Sequence, residues 1–278
     1  MKDIPYKSLK FKNYTIEGFS RAAIQTFWHI PEFHLGFDLG AQPWDFMGTP
    51  NWFISHTHLD HLAMLPNYVA RRRMMKMPPP VVYLLEKFVD LVARLLNVWM
   101  RLDYGNFPCE LVGLKSGDSV ELSKELVVEA FETEHRVDSL GYVVYSRRKK
   151  LKQEFLDLPG EEIKRLKDAG ADITYEIKTP KIAYLGDSNC LGLDKNPIFY
   201  EAETLIMEMT FVEQRHLSDK IHKFGHIHLN DVVARQNRFH NELIIASHFT
   251  ARSVTDAILN SVREKLPDML GGRLKLWG

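Results

Sequence analysis

The sequence predicts an αβ layer structure with its reactive groups on loops at strand ends. Three observations carry that expectation. Short apolar or alternating runs bounded by turn residues recur from the amino terminus onward, and segments with helical spacing alternate with them in the second half. Polar clusters rich in histidine and carboxylate directly follow several of the apolar runs. The densest is FISHTHLDH, residues 53–61, with His56, His58, Asp60 and His61 inside six consecutive positions.

Size and composition set the bounds. A chain of 278 residues with 45% hydrophobic content can bury a sizeable core, and without a low-complexity linker or repeat it predicts one domain over residues 1–278. The 36 basic side chains balance the 36 acidic ones, so no overall field draws nucleic acid or an anionic membrane; a polyanion would need a local patch. Arg71–Arg73 with Lys76, and Arg147–Lys150 with Lys152, are the two candidates. Cys109 and Cys190 are too few and too far apart for a disulfide framework, which fits a reducing compartment. Neither a secretory signal nor a run of about 20 apolar residues is evident, so no membrane span is expected and the predicted location is cytoplasmic.

Taken in order, NYTIEGF, AAIQTFWHI, FHLGFDLG and NWFISH read as strands separated by turns, although AAIQTFW is also compatible with a helix. Residues 62–77 have helical spacing until Pro78, Pro79 and Pro80 stop them; VVYLL is a strand, and an apolar helix runs from Glu86 to about Leu102. A strand, a turn at Gly117–Asp118 and a long strand lead to Thr133–His135, and LGYVVYS then runs into the charge block at Arg147. EEIKRLKDA is a short helix with its acidic end first, as the helix dipole prefers. PKIAYLGDSN and ETLIMEMTF are strands, HLNDVVARQNRF a helix, NELIIASHFTA a strand, and residues 251–266 a last helix.

In a strand, alternate side chains face opposite ways, so the 56–61 cluster converges only if the chain leaves the strand near Ser55. Four imidazole and carboxylate donors are too many for one open catalytic ion, which makes two ions the economical reading: His56 and His58 on one, Asp60 and His61 on the other. The competing reading is a polar, solvent-facing turn. Further donors wait in the same context, after apolar runs: His135 after LVVEAFETE, Asp187 in IAYLGDS and His248 in LIIASH. Asp187 has two oxygens with which to bridge ions.

HTHLDH matches the HxHxDH signature of the metallo-β-lactamase fold superfamily, and the later order of His135, the GDS aspartate and the SHF histidine resembles its phosphodiesterase branch, most closely ribonuclease Z. That family cuts the 3′ trailer from transfer RNA precursors. The resemblance implies a four-layer αββα sandwich with the metal site at strand-end loops between the two sheets. It implies one zinc on His56, His58 and His135, a second on Asp60, His61 and His248, and Asp187 bridging them, with manganese or iron as alternatives. Asp60 would also orient a bridging hydroxide. Glu208, in Met207–Thr210, would pair with His226, in Gly225–His228, to protonate the leaving oxygen. A homodimer is implied as well, with the apolar helix around Phe88 to Trp99 as one candidate face. The chain departs from the family pattern at three places: Met207 replaces a histidine, GFSRAAIQTFW stands where a Leu-Gly-Thr loop is usual, and the 136–186 interval reads as an ordinary strand connection rather than the RNA-gripping arm.

The expected activity is therefore dinuclear zinc-dependent hydrolysis of a phosphodiester, with precursor transfer RNA or a small phosphodiester as substrate. A lactonase or thioesterase on the same metal pair, and a metal-binding interaction protein without turnover, remain open. His29, His34 and His240 are expected to be structural, His216 and His222 to be exposed loop groups, and His228 to orient its loop or touch phosphate. Trp28, Trp44, Trp52 and Trp99 are expected in the core or an interface.

Overall fold

The structure, a computed structural model, describes residues 4–213 and 224–277; His216 and His222 lie outside the described residues. Two seven-stranded mixed sheets face one another. The first contains β1 (Lys7–Phe11), β2 (Tyr14–Arg21), β3 (Gln25–Ile30), β4 (Leu35–Phe37), β5 (Asn51–Phe53), β6 (Val81–Leu85) and β7 (Glu110–Leu114), in chain order. Neighbours from β1 to β4 are antiparallel and those from β4 to β7 parallel. The second sheet repeats this scheme with β8 (Ser119–Ser123), β9 (Leu126–Thr133), β10 (Ser139–Leu151), β11 (Thr174–Tyr184), β12 (Thr204–Glu208), β13 (Leu243–Ser247) and β14 (Leu274–Leu276): antiparallel to β11, parallel beyond it.

Parallel neighbours need crossovers, and helices supply most of them. In the first half these are α1 (Leu59–Leu62), α2 (Leu65–Met74) and α3 (Val89–Asp103). In the second, α4 (Gly160–Asp168) lies between β10 and β11, followed by α5 (Cys190–Lys195), α6 (Ile198–Glu201), α7 (Leu229–Ala234) and α8 (Thr255–Lys265). Three apolar layers result. Between the sheets, Tyr14, Trp28, Phe37 and Phe53 meet Val128, Tyr142, Tyr184 and Ile206. Outside the first sheet Trp52 packs with Tyr68, Val69, Val92 and Leu96, and outside the second Leu205, Met207 and Ile244 pack with Ile258 and Val262. Strands covered on both faces read as unbroken apolar runs, which is why LIIAS and TLIME show no alternation. Each large side chain so buried contributes about 1.5–3 kcal/mol. The αββα sandwich is the one expected, and no helix among the described residues is long and apolar enough to cross a membrane.

Several boundaries differ from the sequence reading. AAIQTFW is not helical: residues 22–24 form the turn of a hairpin and β3 begins at Gln25. The long strand expected after Gly117–Asp118 is a hairpin, β8 and β9, turning at Lys124–Glu125. LGYVVYS does not stop at the charge block: β10 continues to Leu151, and its pairing with β11 runs from Tyr142↔Tyr184 to Leu151↔Thr174, well past its last pair with β9 at Ser146↔Leu126. The 136–186 interval is thus a two-stranded ribbon carrying α4, not a plain connection. The strands β1 and β14 and the helices α5 and α6 carried no strong periodicity and were not expected. Trp28 and Trp52 are fully buried, whereas Trp44 and Trp99 are about half exposed.

Candidate metal centre

The FISHTHLDH stretch can converge because a buried carboxylate pulls the chain out of the sheet. β5 ends at Phe53, and Asp38, just beyond β4, takes a left-handed backbone (φ 57) with its side chain wholly buried. Its Oδ1 accepts the Ser55 N–H at 2.7 Å and its Oδ2 the Ser55 hydroxyl at 2.8 Å. The Tyr184 hydroxyl donates to the same oxygen. His56 therefore starts the loop, and His58 precedes α1, which carries Asp60 and His61. Gly40 makes room for that helix: a Cβ there would sit 1.7 Å from the Asp60 carbonyl oxygen. Gly186 (φ 66) does the same for Asp187, since a Cβ would come within 2.6 Å of Ser55 Cβ.

The ligand atoms assemble from four strand ends, that of β5 being the first. His135 follows β9, Asp187 follows β11 and His248, also left-handed at φ 60, follows β13. His56, His58, His135 and Asp187 each present one atom within 4.8 Å of the others, and Asp60, His61 and His248 do likewise. Asp187 reaches both groups: its Oδ2 is 3.8 Å from His56 Nε2 and 3.5 Å from His61 Nε2. A third overlapping group joins Asp187, His226 and His248. All seven residues read as candidate ligands thus lie together, in two groups that Asp187 reaches.

The outward-facing nitrogens decide whether this donor set fits cations. His61 Nδ1 donates to Asp38 Oδ2 at 2.7 Å, and His135 Nδ1 to the Gly225 carbonyl at 2.9 Å. His56 Nδ1 lies 3.0 Å from Ser55 Oγ, whose proton is committed to Asp38; His248 Nδ1 lies 3.1 Å from Thr210 Oγ1, whose proton is committed to Glu208. These partners assign the Nδ1–H tautomer to four rings and leave each Nε2 lone pair facing inward. Inside, His58 Nδ1 is 2.9 Å from His56 Nε2 and 3.3 Å from His135 Nε2, and His61 Nε2 is 3.4 Å from His248 Nε2. Nitrogens this close with few protons to share, beside carboxylates, form two candidate metal-binding clusters suited to divalent ions such as zinc.

In the protein without bound ions, burial and neighbouring charges push these rings in opposite directions. Burial lowers the His56 pKa well below its usual value, and the neighbouring His61 adds to the effect. Burial also opposes charge on His61, but Asp187 and Asp38 outweigh it and raise that ring to about 9. Burial would raise Asp60; its bond to His248 and the charge on His61 prevail and lower it to about 2.

Beside the clusters, Glu208 at the end of β12 accepts from His226 Nδ1 at 2.8 Å. The Ser188 N–H and the Thr210 N–H, each at 3.1 Å, and the Thr210 hydroxyl hold the same carboxylate. Burial works against a charged His226, but Glu208 outweighs it and raises the ring to about 9. By strand alternation the Met207 side chain packs in the outer core while Glu208 faces the site.

His228 caps α7, accepting the Asn230 N–H on Nδ1 at 3.0 Å while its own N–H donates to Asp231, so orientation of the loop accounts for it. His29 and His240 bond Glu17 and Glu201, and His34 closes a turn with φ 52. The sequence reading missed Asp38, Ser55 and Thr210. A carboxylate immediately after an apolar run, the signal that marked Asp187, was present for Asp38 in FHLGFDLG.

Known proteins share both sequence and fold with this chain. It is 37% identical over 270 residues to the tRNase Z TRZ1 of Arabidopsis thaliana, covering 96% of each protein. Among solved structures it resembles a metallo-β-lactamase fold protein from Bacillus subtilis, with a TM-score of 0.61, 12% identity and coverage of 93% of this chain and 91% of that one. It also resembles the short form of human tRNase Z, with a TM-score of 0.54, 19% identity and coverage of 88% and 89%. At these identities the two structures establish the fold alone. No family model matches the chain.

Proposed function

The chain belongs to the tRNase Z family and is a metal-dependent hydrolase, and from that premise we propose that it cleaves a phosphodiester bond in RNA, with a transfer RNA precursor bearing a 3′ trailer as its substrate. The observation that carries this reading is the Glu208–His226 pair, 2.8 Å apart and against the Asp187–His248 side of the clusters. In our assignment His56, His58 and His135 hold one zinc, Asp60, His61 and His248 hold another, and Asp187 serves both. When bound, two zinc ions supply a nucleophile from water near neutral pH and offset charge growing on the phosphoryl oxygens.

The chain's own groups do the rest. Asp60, its Oδ2 fixed by the Ala23 N–H at 2.8 Å, orients the attacking water. His226 has Nδ1 tied to Glu208, so its transferable proton is on Nε2, where it can reach a departing alkoxide. A ribose oxygen is a poor leaving group and needs that proton. A thioester, whose thiolate leaves readily, does not specifically require the pairing.

The β10–β11 ribbon favours a long substrate. From Ser139 near the clusters to Leu151, β10 extends about 40 Å at ~3.3 Å per residue, and Arg148, Lys149 and Lys150 are exposed on it. A folded RNA spans that length, and a small diester cannot. Phosphate contacts there would be salt-sensitive and indifferent to sequence. For the homodimer, α3 presents Leu91, Leu95, Val98, Trp99 and Leu102 to solvent on one stripe, and we assign this face to a second copy.

Zinc-loaded protein assayed side by side on precursor transfer RNA, bis(p-nitrophenyl) phosphate and a lactone tests the proposal. Trailer release together with diester cleavage supports it. Diester cleavage with intact RNA would reassign the enzyme to small phosphodiesters, and turnover of the lactone alone would reject phosphodiester chemistry.

A further inference from the structure

The tip of the β2–β3 hairpin is bonded to the two segments that supply the second cluster. The Ala23 N–H donates to Asp60 Oδ2 at 2.8 Å, and that oxygen lies 3.5 Å from His248 Nε2 and 3.8 Å from His61 Nε2. The Ser20 carbonyl accepts the His248 N–H at 3.3 Å, the Ala22 N–H donates to the Phe249 carbonyl at 3.3 Å, and Arg21 forms a parallel bridge with Phe249. One turn therefore joins Asp60, from the first half of the chain, to His248, from the second.

The turn is itself held rigidly. Ser20 and Thr26 share a buried hydroxyl–hydroxyl bond of 3.0 Å across its base, and the Thr26 carbonyl accepts the Gly40 N–H at 2.9 Å. Ala23 adopts φ 60, a left-handed conformation that a residue with a Cβ takes only when its surroundings enforce it. The first cluster is supported elsewhere: His56 by Ser55 and His135 by Gly225.

We propose that this hairpin tip is a clamp that sets the affinity of the second cation, on Asp60, His61 and His248, separately from the first, with the Ala23 N–H as its positioning group. The inference rests on the assignment of the two clusters to cations. A carboxylate oxygen has two lone pairs, so the N–H can occupy one and turn the other toward the ion. Partners of this kind are worth about 10–100-fold in metal affinity.

Three forms of the full chain test it. A23P removes the N–H and cannot adopt φ 60; an ester linkage in place of the Ala22–Ala23 amide removes the N–H without closing a ring that forbids φ 60; A23G keeps the N–H and accepts the conformation readily. Stepwise zinc affinities are read by competition with a chelator, and zinc per chain by atomic emission. The expected result is two tight zinc ions in the wild type and A23G, against one tight ion and a second weakened about 10–100-fold in A23P and the ester protein. If A23P fails to fold by circular dichroism, the ester protein decides. Unchanged affinities in the ester protein, or equal weakening of both ions, would overturn the clamp. A wild-type chain that binds no zinc would instead overturn the metal assignment, and the clamp with it.

Discussion

The two halves of the molecule lay down the same strand scheme, four antiparallel strands and then three parallel ones, yet use equivalent strand ends differently. β4 leads to Asp38 and β11 to Asp187. Asp38 faces the backbone and hydroxyl of Ser55 and the outer nitrogen of His61, whereas Asp187 faces the inner nitrogens of His56 and His61. After β5 comes a run of four donors; β12 ends in Glu208, which holds a proton-carrying histidine. A position in the topology therefore brings a carboxylate to the seam between the sheets, but its neighbours decide whether it serves as a donor to a cation or as the support behind one.

Substitutions at these paired positions sharpen the contrast. The largest effect is expected from Asp187→Ala, which removes the group both clusters share: zinc content should fall well below that of the wild type by atomic emission, and hydrolysis should fall to background. Zinc retained in full would break the contrast at its base. Next, His226→Ala should lower RNA cleavage by roughly 10²–10⁴-fold, the usual worth of a positioned proton donor. The loss on bis(p-nitrophenyl) phosphate should be smaller, because a nitrophenolate leaves without a proton; equal losses on both substrates would remove His226 from that role.

Asp38→Asn should act through the supports, weakening metal affinity by about 10–100-fold while both ions still bind at high zinc. Part of the loss is folding stability, since an amide cannot accept from Ser55, His61 and Tyr184 as a carboxylate does, and each unsatisfied buried donor costs about 1–3 kcal/mol. The smallest effect is on pH dependence. In the metal-free protein His226 is raised to about 9 by Glu208, above its unfolded value of about 6.5. Its contribution to stability is then complete below pH ~6.5 and lost as the pH rises through 9. The urea midpoint of metal-free protein should fall over that window, and Glu208→Gln should flatten the fall.

The site was more legible than the fold. His56, His58, Asp60 and His61 announce themselves by density, and His135, Asp187 and His248 by following apolar runs, because a strand that packs into the sandwich is apolar and the polar donors begin where it ends. The repeated scheme of the two halves left no trace in residue identity, since a strand covered on both faces accepts any large apolar side chain. The ribbon was misread for a different reason: pairing between two strands leaves their outer side chains in water, so Arg147–Lys150 look like a loop while remaining in register with β11.

The identity of the donors and their grouping around HTHLDH are written in the chain itself, because each depends on a side chain's chemistry and on the local end of one strand, whereas the Glu208–His226 pair was implied by the family resemblance. Tertiary packing alone chose Asp38 as the support for His61, Thr210 as the link between Glu208 and His248, and the Ala23 N–H as the partner of Asp60. Those contacts join residues whose only common cause is the meeting of two sheets. A hydrogen bond across such a seam depends on where each backbone arrives, and no local pattern encodes that.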